Sequence, residues 1–273
     1  MFNPYVESVL IFLGINAVLA LSLYVPASAG LLSLGQGGFM AIGAYTSAVI
    51  TTSTGWPFSL ALLIGMLAAG AAGGLVGFPA LRIRGVYLII LTMGFGEIVR
   101  IFFLNFEPTG GASGLGGIAP RTTLAGVAGA TALVLAFCIQ IRRTRIGRAL
   151  EAVRQDEGAA QVTGVNLTAT KVGAFAWGAA FAGLGGGLYA HHALFIDAGQ
   201  FGFFRSAEIF ITLLLGGMGS HWGALVGAIV VTVLPELLRF LQDWRMTFFG
   251  SLLVLMMILR PWGLVGVKQR HFG

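Results

Sequence analysis

Residues 8–81 read SVLIFLGINAVLALSLYVPASAGLLSLGQGGFMAIGAYTSAVITTSTGWPFSLALLIGMLAAGAAGGLVGFPAL, a run of 74 positions without a single Asp, Glu, Lys, Arg or His. A water-facing surface of that length would carry charge. As α-helix at 1.5 Å per residue the run would extend roughly 110 Å, enough for about three crossings of a 30 Å hydrocarbon core. The rest of the chain agrees: of 273 residues 57% are hydrophobic and only 10% charged, against about 25% charged in soluble domains, and mean hydropathy is +0.90. The expected fold is all-α, a polytopic transmembrane helical bundle forming a single domain over 1–273.

Other classes fall away on the same grounds. One cysteine, Cys138, lies inside an apolar run and can build neither a disulfide framework nor a thiolate metal site. The net charge of +6 does not point to nucleic acid, because in such a chain basic residues sit in short loops and report topology. Residues 9–25 followed by Ala27, Ser28 and Ala29 resemble a cleavable leader, but no Lys or Arg precedes them and the chain stays apolar afterwards, so they are read as a retained span.

Candidate spans are 9–25, 31–51, 58–81, 86–105, 124–141, 172–190, 209–218, 222–238 and 248–259. The runs 209–218 and 248–259 are short for a full crossing; the first either begins nearer Phe204 or is a half-helix. If all cross, one side collects Arg82, Arg84, Arg142, Arg143, Arg145, Arg148, Arg154, Lys171, Arg260, Lys268 and Arg270, the other Arg100, Arg121, Arg205, Arg239 and Arg245. The excess places the Arg142–Lys171 loop and the C-terminus in the cytoplasm.

Glycine is abundant, with 42 residues. Most serve close helix packing, with small-xxx-small spacing at Gly183/Gly187 and Gly223/Gly227. Two denser clusters, 30–38 and 216–223, are expected to be broken segments, tolerated at membrane depth only where buried or lining a cavity.

The long hydrophilic loop, about 142–170, has an apolar stripe at Ile146, Leu150, Val153 and Ala160 with charge around it. It predicts one short amphipathic helix ending at Gly164, with Asn166 capping the next span. Arg142, Arg143 and Arg145 suit anionic lipid headgroups. Arg148, Glu151, Arg154, Asp156, Glu157, Ala159, Ala160 and Gly164 suit docking of a partner protein.

These residues resemble the permease subunits of bacterial branched-chain amino-acid ABC importers, of the LivM type. The likeness rests on AGLLSLGQGGFMAIGAY at 29–45, RGVYLIILTMGFGEIVR at 84–100, GRALEAVRQDEGAA at 147–160 with GVN at 164–166, AGLGGGLYA at 182–190, GGMGSHWGALVGA at 216–228 and RPWGL at 260–264. The order matches the family's over about 29–267. Membership implies eight or nine spans, the chain beginning without a leading span that many such subunits carry. It implies a bacterial inner-membrane location, a homologous second permease, two cytoplasmic ATPases and an extracytoplasmic binding protein. The segment from Glu157 to Gly164 looks like the coupling loop that meets the ATPase. No cofactor is expected and no catalysis: the only lysines, Lys171 and Lys268, lie outside any phosphate-binding loop. The implied cargo is a branched-chain or related hydrophobic amino acid, with urea or short amides carried by relatives of the same architecture. A secondary transporter or channel is the competing class; a membrane enzyme lacks a catalytic constellation.

Within the spans, Ser33, Gln36, Thr92 and Glu97 are candidate path-lining residues. Glu97 lies about eleven residues into its span, where charge is costly and functional by default, and Arg100 at i+3 offers a structural clamp instead. Glu208 and Glu236 are expected near span ends, facing headgroups or a neighbouring subunit. The glycine-rich stretch 108–118 is expected to be flexible and to face the binding protein. His191 and His192 lack the neighbours of a metal site.

Overall fold

A computed structural model describes residues 4–80, 83, 85–237, 250, 251, 254 and 263–265. Ten α-helices follow one another: α1 (Pro4–Ala27), α2 (Gln36–Val49, prolonged by a π turn Ile50–Thr54), α3 (Phe58–Ala80), α4 (Val86–Asn105), α5 (Leu124–Arg143), α6 (Arg145–Gln155), α7 (Glu157–Val162), α8 (Leu167–Ala193), α9 (Phe203–Gly216) and α10 (His221–Leu237). The described residues contain no strand, only a bridge between Leu115 and Ile196.

Among the described residues five helices are long and apolar enough to cross a membrane, namely α1, α3, α4, α5 and α8, and the bent pair α9–α10 brings the number to six if it counts as one span. Helices α9 and α10 meet at 119° around residues 217–220. The expected span 248–259 lies mostly outside the described residues, as do Arg82, Arg84, Arg239, Arg245, Arg260, Lys268, Arg270 and the C-terminus, whose placement on either side therefore has no structural counterpart.

The bundle is built around α1 and α8, two-thirds of whose apolar windows are buried against only about a quarter in α4 and α5. Helix α8 packs on α3, α2 and α1. This closeness depends on glycine. A Cβ on Gly43 of α2 would collide with the backbone of Gly183 in α8, and one on Gly227 of α10 would strike the Thr212 carbonyl of α9, so these backbones meet without side chains between them. Helices α3, α4 and α5 turn large apolar side chains outward, Leu75, Tyr87, Ile98 and Leu133 among them, as lipid-facing helices do.

The two ends of the bundle are fixed by polar contacts. At one end Ser8 meets His192 at 3.3 Å and Thr51 meets His191 at 2.9 Å. At the other, Gly30 approaches Arg154, bringing the C-terminus of α1 against α6. Helix α1 thus runs the full height.

Two helix starts extend past their apolar runs, and one break departs from the sequence expectation. Helix α8 begins at Leu167, directly after the expected Asn166 cap and five residues before the apolar run at 172, and takes in Lys171, which is 1% exposed and paired with Glu157. Helix α9 begins at Phe203, beside the alternative start near Phe204, and includes Arg205 and Glu208. The hydrophilic loop is two helices rather than one, broken at Asp156, whose backbone is extended (φ −156°, ψ 116°).

Candidate functional site

Helices α6 and α7 stand between the long helices α5 and α8 and form, among the described residues, the one polar element of any length. Thr144 turns the chain at the end of α5, its hydroxyl donating to the Ile141 carbonyl at 2.7 Å. Helix α6 then buries Leu150 and Val153 against the bundle. Leu150 joins Ala29, Leu31, Leu88, Ala174 and Phe175 in a small apolar cluster, so α6 is seated on the stretch that follows α1, on α4 and on α8 together.

Asp156 starts the second helix by capping it: its carboxylate accepts from the Ala159 N–H at 2.9 Å. Gly164 ends it. The Gly164 N–H donates to Gln161 and the Val165 N–H to Ala160, each at 3.0 Å, with Gly164 at φ 87°. These two bonds are the paired closure that needs a left-handed residue after the helix. Asn166 then caps α8 through its side chain, accepting from the Ala169 N–H at 3.0 Å.

One ion pair holds the unit to the bundle. The Lys171 ammonium lies 2.7 Å from the Glu157 carboxylate, with 2% of the lysine side chain and 20% of the glutamate side chain exposed. Glu157 therefore anchors α7 from beneath. Ala160 is also turned inward, 2% exposed. What α7 leaves outside is Gly158, Ala159, Gln161, Val162 and Gly164. Val162 is 90% exposed, an apolar side chain on a helix outside the long spans. Sequence reading passed over it because it breaks the stripe; its signal is an apolar residue opposite the inward Ala160.

The three charged candidates lie on α6, the other helix of the unit. Arg148, Glu151 and Arg154 border a cavity of about 450 Å³ that also takes in Tyr24, Arg142 and Gly219. The Glu151–Arg154 contact is loose, at 3.9 Å. The α9–α10 turn thus reaches the same end of the bundle as α6.

Ser33, Gln36 and Thr92 are all buried and hydrogen-bonded, and they fasten the non-helical stretch 31–35 that precedes α2. The Leu34 N–H donates to the Thr92 hydroxyl at 3.0 Å, the Gly35 N–H to the Ser33 hydroxyl at 3.1 Å, and the Ser22 hydroxyl to the Gln36 carbonyl at 3.4 Å. Helix α2 consequently starts inside the bundle, level with Ser22.

Glu97 and Arg100 form an ion pair, Nε to Oε2 at 2.6 Å, each side chain about one-third exposed. The other Glu97 oxygen accepts the Phe203 N–H at 3.2 Å, placing a carboxylate on the first N–H of α9, where the helix dipole favours it. Two turns of charge follow: Arg205 donates to Glu208 at 2.6 Å and to the Asn16 carbonyl at 3.0 Å, and the Asn16 amide donates to Thr232 at 2.9 Å. Glu208 is the sixth residue of α9 and is paired there with Arg205. The network was invisible in the sequence, Asn16 and Arg205 being 189 residues apart.

The stretch 108–118, expected to be flexible, is tied to the chain after α8: the Leu115 and Ile196 backbones exchange hydrogen bonds at 2.8 and 3.1 Å. His191 and His192 have local partners, Thr51 and the Gly187 carbonyl for the first and Ser8 for the second.

Comparison with known proteins gives one consistent result. Residues 5–259 match the family model described as branched-chain amino acid transport system / permease component. The high-affinity branched-chain amino acid transport system permease protein LivM of Escherichia coli strain K12 is 40% identical over 96% of this chain and 68% of its own length. The protein of the same name from Salmonella typhimurium is 39% identical over the same shares. The permease protein LivH of Escherichia coli strain K12 is 30% identical over 49% of this chain and 44% of its own. No solved structure matches.

Proposed function

The chain belongs to the branched-chain amino acid transport permease family, and from that premise we propose that it is the transmembrane permease subunit of an ATP-driven importer that brings branched-chain or related hydrophobic amino acids into the cytoplasm. The observation that carries this reading is the α6–α7 unit. It is a rigid, doubly capped element outside the long helices, anchored by Lys171–Glu157 and exposing small side chains and Val162. A short helix presenting small residues and one apolar knob fits a groove in a partner, and the partner of the reading is a cytoplasmic ATPase.

Arg148, Glu151, Arg154, Asp156, Ala159 and Gly164 belong to this coupling surface, with Glu157 and Ala160 positioning it from below. Likeness to both LivM and LivH supports a second, homologous permease beside this chain. Two ATPases and an extracytoplasmic binding protein complete the assembly. Eight or nine membrane segments are proposed: the five long helices, α2, α9, α10 and the stretch 248–259, with the C-terminus cytoplasmic in the inner membrane. When the ATPases close and open they displace α6–α7, and because that unit sits on the stretch after α1, on α4 and on α8 at once, its motion is passed to the bundle. The two states must differ in these contacts for transport to be driven.

The test is reconstitution. Proteoliposomes holding this chain with its second permease and ATPases accumulate leucine only with ATP and the loaded binding protein. Leucine movement down its gradient through the purified chain alone would overturn the proposal, and calorimetry of the binding protein against leucine, urea and short amides fixes the cargo.

A further inference from the structure

The Arg205–Glu208 pair lies at mid-height of the bundle, as two independent measures agree. Asn16, which accepts from Arg205, is the thirteenth of the 24 residues of α1, the helix that runs the full height. From the α6 end, α10 starts at His221, whose ring is 6.1 Å from that of Tyr24 near the foot of α1, and its bond to Asn16 comes from Thr232, about 16 Å further along at 1.5 Å per residue.

At that height a charge turned to hydrocarbon is expensive, and such residues face protein or a water-filled cavity. Arg205 is largely covered, its side chain 15% exposed, but that of Glu208 is 44% exposed. Phe204, one turn earlier on the same face, is 87% exposed. Helix α9 itself starts at this level, with its first N–H directed at the Glu97 carboxylate. A helix that begins at mid-height beside two ion pairs is a discontinuous segment of the kind that transporters use around substrate charge.

We infer that the Phe204–Glu208 face of α9 lines the aqueous translocation path, and that the zwitterionic head of an α-amino acid passes it by exchanging with the Arg205–Glu208 pair. The substrate carboxylate takes the guanidinium while its ammonium takes the Glu208 carboxylate. A pair already satisfied by its own partner offers the head group a transient contact rather than a deep well, as passage requires. This inference deepens the transport reading and rests on it.

Cys138 is buried and the chain's only cysteine, so Cys138→Ala provides a background without thiols. In membrane vesicles holding the assembled transporter, Phe204→Cys and Glu208→Cys are placed in that background and treated with a permanently charged methanethiosulfonate, the label being read on the isolated chain. Leu75→Cys on α3, at a 77% exposed position, is the lipid-facing control. Positions 204 and 208 are expected to react at least tenfold faster than 75, and excess leucine to slow them. Reaction with lipid-soluble maleimide alone, no reaction at either position, or reaction that leucine leaves unchanged would each overturn the inference.

Glu208→Gln keeps the shape and removes the charge, and is expected to raise the KM for leucine uptake at least fivefold with the chain still inserted; an unchanged KM would also overturn it. ATP-driven uptake by the Cys138→Ala vesicles, measured beforehand, separates failure of the transport reading from failure of this one.

Discussion

Lys171 and Glu157 show how far a single pair of side chains can decide a local architecture. The lysine is buried in the first turns of α8, the carboxylate comes from α7, and removal of one partner leaves the other charged in an enclosed site. Breaking such a pair costs on the order of 3–5 kcal/mol. Lys171→Met is therefore expected to lower the thermal unfolding midpoint of the purified chain markedly, with Lys171→Met/Glu157→Gln recovering part of the loss; equal midpoints for the single variant and the parent would refute the anchor. Thr92 holds a smaller stake. Thr92→Val leaves the Leu34 N–H without its acceptor, a cost of about 1–3 kcal/mol, seen as faster proteolysis near residues 31–35. For Glu97, pairing with Arg100 predicts that Glu97→Ala lowers the yield of folded chain more than Glu97→Ala/Arg100→Ala does, because the single variant strands a guanidinium inside the bundle. Fluorescence size-exclusion profiles compare the two.

Helix α7 is six residues long and would not form alone; its caps and its buried Ala160 make it. Gly164→Leu must place a branched side chain at φ 87°, costing about 1–2 kcal/mol, and is expected to leave the protein inserted while ATP-driven uptake is lost. Glu157→Arg sets a second cation beside the buried Lys171 and is expected to lose uptake together with a marked drop in the unfolding midpoint. Val162→Asp tests the exposed face without touching either cap: co-purification of the ATPase is expected to fall at least tenfold, and full recovery of the ATPase with this variant would exclude Val162 from the interface. The caps at Gly164 and Asn166 were legible in the sequence because capping is local chemistry between residues two or three apart. The break at Asp156 was equally local, an Asp three residues before Ala159, but the continuous apolar stripe from Ile146 to Ala160 masked it. The start of α8 followed from the Asn166 cap and that of α9 from the alternative near Phe204, whereas the start of α2 at 36 was not legible, since Thr92, which holds the stretch before it, comes from a distant part of the chain.

For the molecule as a whole, the charge-free run 8–81 identified a membrane bundle and located α1 and α3 to within a few residues. Hydropathy alone could not say which helices lie at the centre, because central and lipid-facing helices are both apolar all round. In the structure the share of each helix that is buried separates them, two-thirds for α1 and α8 against about a quarter for α4 and α5, while glycine marks where backbones touch, as between α2 and α8 or α9 and α10. The bonds of Asn16 carry a further consequence, one of time. Its amide partner Thr232 is 216 residues downstream, and at about 5–20 residues per second the ribosome needs roughly 10–40 s to supply it. Throughout that interval α1 carries at its middle a carboxamide that has not yet met Thr232. A sheltering surface, supplied by the insertion machinery or by another subunit, would cover it until α10 arrives.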